Sequence, residues 1–265
     1  MNSARLTPTA RAEVTRQIEE AVATGVAIPP VVKSVGEFSI EEAYEIQNEI
    51  FTSSLGDDNP RAGVKLGLTS RAKQLRMKVE IPVFGQLSSK MDRTGQLNIN
   101  CGDYIHPRVE PEIVFVLRHP IEGPYLSRIE ATDAVAAVYA GVEIIDSRFR
   151  DFSFSAADVI ADNTSAAGFI LGNVSKELTD LDLETEAVLV HVNGEVLDSA
   201  TGAAILGNPI DALMLAARHF HAQKLRLEAG WLVLSGAMTD AIALQPGSTV
   251  TFEYSHLGSI TLRGV

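Results

Sequence analysis

Apolar positions recur at helical spacing in the first sixty residues and then give way to short alternating runs. Val14, Ile18, Ala21 and Val22 share one helical face between Thr7-Pro8, an N-cap followed by proline at the first helical position, and Gly25, which stops the run. After the break at Ile28-Pro29-Pro30, Ser39-Ile40-Glu41-Glu42 spells a capping box. Ala43, Ile46 and Ile50, with Tyr44, Gln47 and Phe51, then mark a second amphipathic helix that ends before Gly56. Beyond Gly63 the pattern predicts a strand over 109–117, a short helix over 132–138 and a strand over 141–146. Residues 187–192 and 195–197 read as a hairpin around Asn193-Gly194, the pair a type I′ turn prefers. Asn208-Pro209 caps a helix carried by Ile210, Leu213, Met214, Ala217 and Phe220, and 231–235, 249–254 and 259–263 read as closing strands. The strands do not alternate regularly with helices, as a doubly wound sheet requires. The expected class is therefore α+β: a curled, mixed β-roll with peripheral helices over 61–265, preceded by a small helical segment over 1–60.

Composition narrows the class. A chain of 265 residues, at about 150 per domain, allows one large domain with a small appendage. With 46% hydrophobic and 21% charged residues it has the balance of a soluble globular protein, and no apolar run approaches the roughly 18 residues of a membrane span. The start, Met-Asn-Ser-Ala-Arg-Leu-Thr-Pro, lacks the basic-then-apolar order of a signal peptide, so a cytoplasmic location is expected. The single cysteine, Cys101, excludes an intrachain disulfide and reads as a packing residue. A formal charge of −12 argues against nucleic acid, which selects clustered Lys and Arg. Anionic substrates stay open, because a bound cation makes a pocket locally positive.

The candidate chemistry lies in three glutamates. Glu110 and Glu112 flank one residue in a strand, so their side chains share a face about 6.6 Å apart, and Glu143 begins Glu143-Ile144-Ile145-Asp146-Ser147-Arg148 on a neighbouring strand. Three carboxylates on one face suit a hard divalent ion, Mg²⁺ or Mn²⁺ rather than zinc. Alternating glutamates are also how a sheet presents a solvated face, and spacing alone leaves both readings open.

Taken together, Gly63-Val64-Lys65-Leu66-Gly67-Leu68-Thr69-Ser70, Pro82-Val83-Phe84-Gly85, Val109-Glu110-Pro111-Glu112-Ile113, the Glu143–Arg148 run and Ala161-Asp162-Asn163-Thr164-Ser165 resemble the fumarylacetoacetate hydrolase superfamily. The likeness is to its branch of 2-hydroxypentadienoate hydratases and 4-oxalocrotonate decarboxylases. It implies a β-roll that binds Mg²⁺ or Mn²⁺ through Glu110, Glu112 and Glu143, with Lys65 pointing at the substrate and no organic cofactor. One departure is Pro111, where the family usually has a small residue; a proline there suggests an edge or bulged position.

The implied substrate is a small 2-oxo or 2-hydroxy dienoic acid. Hydratases of the branch carry an aspartate in Pro-Asp-Phe-Gly, whereas Val83 stands here and cannot transfer protons. The Leu68–Lys73 run and Phe152-Ser153-Phe154 also look like the decarboxylases, so decarboxylation is the first expectation and hydration the alternative. A hydrolase ranks third: that activity implies a histidine-glutamate pair on a short helix near the site, and the one His-x-x-Glu run here, His119-Pro120-Ile121-Glu122, is interrupted by proline; His219 and His221, late on a helix where a cation suits the dipole, read as structural. From a different class, a non-catalytic metal-binding assembly partner remains. Ser70, Asn163 and Ser165 are candidates to hydrogen-bond a substrate carboxylate, and Asp146 with Arg148 to form a supporting ion pair behind Glu143. The resemblance also implies association of decarboxylase with hydratase, and self-association is expected.

Overall fold

The computed structural model describes residues 5–77 and 79–265, so the first four residues of the N-terminal stretch read above lie outside it. Helix α1 (Pro8–Thr24) begins as expected, Thr7 accepting a hydrogen bond from Ala10 N–H and Gly25 ending it at φ 64°. Val14, Ile18 and Ala21 are buried, whereas Val22 faces solvent at 62% exposure. A single turn, α2 (Val32–Val35), leads to α3 (Ile40–Ser53). Only half of the expected capping box forms at α3. Ser39 Oγ accepts from Glu42 N–H, but the buried Glu42 carboxylate accepts instead from Leu6 N–H at 3.0 and 3.2 Å, tying the N-terminal residues to the helix.

The chain then runs β1 (Arg61–Gly67), α4 (Arg71–Met77), β2 (Val83–Ser88), β3 (Asn98–Ile99), β4 (Arg108–Leu117), α5 (Arg128–Asp133), β5 (Val135–Ile145), α6 (Ala156–Ala161), β6 (Ala166–Lys176), β7 (Ala187–Val192) and β8 (Glu195–Thr201). It closes with α7 (Ile210–Ala222), β9 (Leu232–Ala237), β10 (Ile242–Ala243), β11 (Thr249–Tyr254) and β12 (Ser259–Gly264). The helix expected over 132–138 is displaced. Ser127 and Glu130 form a full capping box that starts α5 earlier, and Val135 onward is strand. Alanines there carry helix propensity, but β-branched Val135, paired with β4, and Val138, paired with β4 and β6, override it.

One sheet runs β2-β1-β9-β4-β5-β6, with β10 continuing beside β4; the other runs β3-β12-β11-β7-β8. The first curls without closing: β2 and β6 are not paired, and a single bridge between Asp92 and Phe169 spans the gap. Its convex face shares one hydrophobic core with the helices and the second sheet, through Val64, Phe115 and Val142 against Ile46, Phe220 and Phe252. Its concave face holds a smaller cluster of Leu87, Val114, Phe169, Leu232 and Leu234. By the two-residue period of a strand, Glu112 and Glu110 lie on that concave face, following Val114. The α+β β-roll is therefore the fold. Among the described residues no helix is long and apolar enough to cross a membrane.

Of the two positions that Pro111 suggested, the structure shows the irregular one. β4 is a central strand, not an edge, but Pro111 sits beside a register shift between Glu112 and Val114 where β9 leaves and β10 arrives. Its missing N–H falls in that interruption, and its carbonyl accepts from Met238 N–H at 2.9 Å.

Helix α3 positions β2 through buried polar groups. Phe84 N–H donates to Tyr44 Oη at 3.1 Å, and Gln47 Nε2 donates to Phe84 O and Ile160 O at 2.9 and 2.8 Å. His219 stacks on Phe84 at 4.1 Å, and burial pulls its imidazole down to about 4 from 6.5, so in the folded protein it is neutral rather than the helix-end cation expected. Its folded value is depressed, so between pH 6.5 and 4 the unfolded chain takes up a proton that the folded chain refuses. His219 by itself is expected to lower stability by about 2 kcal/mol on going from pH 7 to 5, and His219→Phe is expected to remove that contribution, read as the difference between the two proteins by chemical denaturation at both pH values.

Candidate metal centre

Register on the concave face assembles the carboxylates. Glu110 pairs with Glu143 across β4 and β5, and Glu112 pairs with Gly141. One oxygen from each glutamate lies within 4.8 Å of the others, so the trio that the sequence pointed to is brought together. Gly141 lets β4 and β5 pack closely here: a Cβ there would meet Val114 Cγ2 at 2.2 Å. Glu112 and Glu143 are 0% exposed, and Glu110 is half-buried.

Lys65 reaches the same point from β1. Because the sheet curls, its Nζ stands 3.0 Å from Glu143 Oε2 and donates to Thr164 O at 3.2 Å, with the residue 2% exposed. Gly85, its register partner, leaves the room, since a Cβ there would lie 2.9 Å from Lys65 Cδ and 2.4 Å from Thr164 Oγ1. A second cation, Lys73 on α4, approaches Glu110 Oε1 at 3.5 Å and Asp240 Oδ1 at 3.6 Å.

Charge in this dry environment is not balanced. Burial, then repulsion from Glu143, pushes Glu112 well above the usual carboxylate range. Burial also raises Glu143, with Lys65 opposing it. For Lys65 burial works against the ammonium, but Glu143, Glu110 and Glu112 outweigh it and raise it. Glu112 Oε2 accepts from Gly236 N–H at 2.7 Å, yet Glu112 Oε1 and both Glu143 oxygens are buried without a well-aligned donor. Buried acceptors without donors are costly, and three converging carboxylate oxygens fit a hard divalent ion.

The cavity beside them, about 110 Å³, is lined by Lys65, Lys73 and Glu110 and by the apolar Leu68, Val83, Phe152 and Phe154. A larger cavity of about 340 Å³ between α1, α3 and Arg148 contains none of the three glutamates or Lys65. Two of the candidate substrate-binding residues, Asn163 and Ser165, sit in a turn with left-handed φ at Asn163 (48°), Thr164 (52°) and Ser165 (61°). Each such conformation costs about 1 kcal/mol or more, and surrounding bonds hold it. The Asn163 amide accepts from Gln86 N–H at 2.8 Å and donates to Gln86 O at 2.9 Å.

Ser165 Oγ is buried in the wall of the smaller cavity and lacks a partner, as does Thr164 Oγ1, which sequence reasoning did not single out. Asn163 borders the larger cavity, and Ser70 Oγ accepts from Lys73 N–H at 3.3 Å at the start of α4, outside the cavity lining. Asp146 and Arg148 do not pair. Asp146 accepts from Ile105 N–H and His106 N–H at 2.8 and 2.7 Å, while Arg148 bonds the Asp162 carboxylate through Nε and Asp162 O through Nη2 at 2.6 Å. Asp162 precedes the left-handed turn, so Arg148 steadies that turn rather than Glu143. Lys73 and Phe152 were visible in the sequence only as parts of runs, because nothing local says which side chains face the cavity.

Residues 65–263 match the family described as fumarylacetoacetate (FAA) hydrolase, C-terminal, and the chain belongs to that family. Within it, a 4-oxalocrotonate decarboxylase of a Pseudomonas species is 41% identical over 248 residues, covering 94% of this chain and 95% of the relative. A 2-keto-4-pentenoate hydratase of Paraburkholderia xenovorans is 30% identical over 255 residues, covering 96% and 95%. The solved 4-oxalocrotonate decarboxylase from Pseudomonas putida G7, complexed with magnesium and adipate, superposes with a TM-score of 0.94 at 33% identity, over 99% of this chain and 100% of that one.

Proposed function

We propose that this chain is a lyase that decarboxylates 4-oxalocrotonate (2-oxo-3-hexenedioate) to 2-hydroxypenta-2,4-dienoate and CO₂, as in meta-cleavage catabolism of aromatic compounds, with Mg²⁺ or Mn²⁺ held by Glu110, Glu112 and Glu143. The observation that carries the reading is the convergence of three carboxylate oxygens, several without donors, beside a cavity with apolar walls. A bound divalent ion supplies Lewis-acid stabilisation to a 2-oxo acid.

In the substrate the C6 carboxylate is a vinylogous β-keto acid. When the C5–C6 bond breaks, its electron pair forms C4=C5, the C3=C4 pair moves to C2=C3, and the C2 carbonyl pair is left on oxygen. Lys65 places a positive charge at the carboxylate cluster, where it stabilises negative charge on that oxygen or helps deliver its proton. Ser165 Oγ and Thr164 Oγ1 are free to donate to substrate oxygens. Val83, Leu68, Phe152 and Phe154 exclude water, which favours loss of a carboxylate as neutral CO₂.

Hydration of 2-hydroxypenta-2,4-dienoate is the second reading, supported by the hydratase relative, and Val83 weighs against it. The dienol product ketonises in water, so association with a partner hydratase, self-association and a cytoplasmic location belong to the same proposal. Supplying the two substrates separately with Mg²⁺ tests it: CO₂ from the first and no 4-hydroxy-2-oxopentanoate from the second supports decarboxylase. Metal binding with no turnover of either substrate would instead support the non-catalytic module. Glu112→Gln is expected to weaken Mg²⁺ binding at least about 100-fold and, like chelator treatment of the wild type, to abolish CO₂ release; calorimetric titration with Mg²⁺ reads the first effect.

A further inference from the structure

We infer that Tyr254 is a positioning residue of the metal centre: reaching through from the second sheet, its hydroxyl holds the backbone of Glu112 and so sets where that carboxylate meets a divalent ion. The inference rests on the metal reading above and adds a residue outside the cavity.

The β4–β5 pair is irregular on both flanks at this level. On the β9 side the register shifts between Glu112 and Val114, and on the β6 side between Tyr139 and Gly141. The Tyr254 hydroxyl stands 3.0 Å from Glu112 O and 2.9 Å from Gly141 O, the carbonyls of one register pair, and its single hydrogen is shared between them. Tyr254 is 4% exposed. Burial, and then the charge of Glu112, raises its phenol well above 10, so it remains a donor. Tyr254 belongs to β11, in the sheet packed on the convex side, while the Glu112 carboxylate lies on the concave side. Glu112 is thus anchored at both ends, its side chain by Gly236 N–H and its main chain by Tyr254 Oη.

Tyr254→Phe keeps the ring and removes that bond, leaving two buried carbonyls without the donor and their strands free to relax. Mg²⁺ demands near-ideal octahedral geometry at short distance, whereas Ca²⁺ accepts longer and less regular coordination. A positioning role therefore predicts a selective loss. Tyr254→Phe is expected to raise the Mg²⁺ Kd about tenfold and the Ca²⁺ Kd less than about threefold, by calorimetric titration of the metal-free protein. Leu262→Ala, in the core of the same sheet, controls for destabilisation and is expected to lower the melting temperature while leaving both Kd values unchanged. An unchanged Mg²⁺ Kd in Tyr254→Phe, equal weakening for both ions, or the same shift in Leu262→Ala overturns the inference. Failure of the wild type itself to bind Mg²⁺ is a distinct result that removes the metal reading and this inference with it.

Discussion

Lys65→Met is expected to lower turnover of 4-oxalocrotonate about 10²- to 10³-fold, the scale on which loss of one preorganised charge acts in a water-excluded site. Methionine keeps the length of the side chain and fits the space left by Gly85, so packing is nearly conserved while the ammonium 3.0 Å from Glu143 is lost. The same change strips Glu112 and Glu143 of their buried counter-charge, which costs about 3–5 kcal/mol in the metal-free protein. Saturating Mg²⁺ is therefore expected to raise the melting temperature more in the variant than in the wild type, because the ion takes over part of that neutralisation. Single-turnover CO₂ release and thermal melts with and without Mg²⁺ read the two effects. Turnover within threefold of the wild type would remove Lys65 from the reaction.

Val83→Asp is the second large expectation. Val83 pairs with Gly67, two residues beyond Lys65 along β1 and on the same face, so it stands about 6.6 Å further along the cavity wall. It is 4% exposed. An aspartate there sets a negative charge close to the departing carboxylate and provides the acid–base group that hydration needs. CO₂ release is expected to fall at least about 100-fold, with hydration of 2-hydroxypenta-2,4-dienoate rising to a measurable rate. A stability loss of about 1–3 kcal/mol accompanies it, from burying a polar group. Unaltered CO₂ release, measured on variant protein shown to be folded, would mean that the valine does not select the reaction.

Much of the site was legible because it depends on short-range order. Glu110 and Glu112 are separated by two, and in a strand that spacing alone puts them on one face. The helix caps at Thr7 and Asn208 and the Asn193-Gly194 turn, with φ of 53° and 85°, are equally local and formed as read. The helix placed over 132–138 missed because cross-strand pairing of β5 overrode alanine propensity. The Asp146–Arg148 pair missed because neighbours in sequence found separate partners in space, backbone N–H groups for Asp146 and Asp162 for Arg148. Pro111 left an edge and a bulged position both open, because a missing donor suits either, and only the pairing of β4 showed that the interruption sits inside the sheet.

The amino-acid order by itself determined the α+β class, the carboxylate pair and the residue types that suit a hard cation. Tertiary structure decided the rest: that Glu143 stands opposite Glu110, that the curl of the sheet carries Lys65 to Glu143, and that Tyr254 of the other sheet reaches the back of Glu112. The physical reason is range. Periodicity and capping depend on residues a few positions apart, while register, curl and the packing of one sheet on another depend on which distant surfaces bury one another.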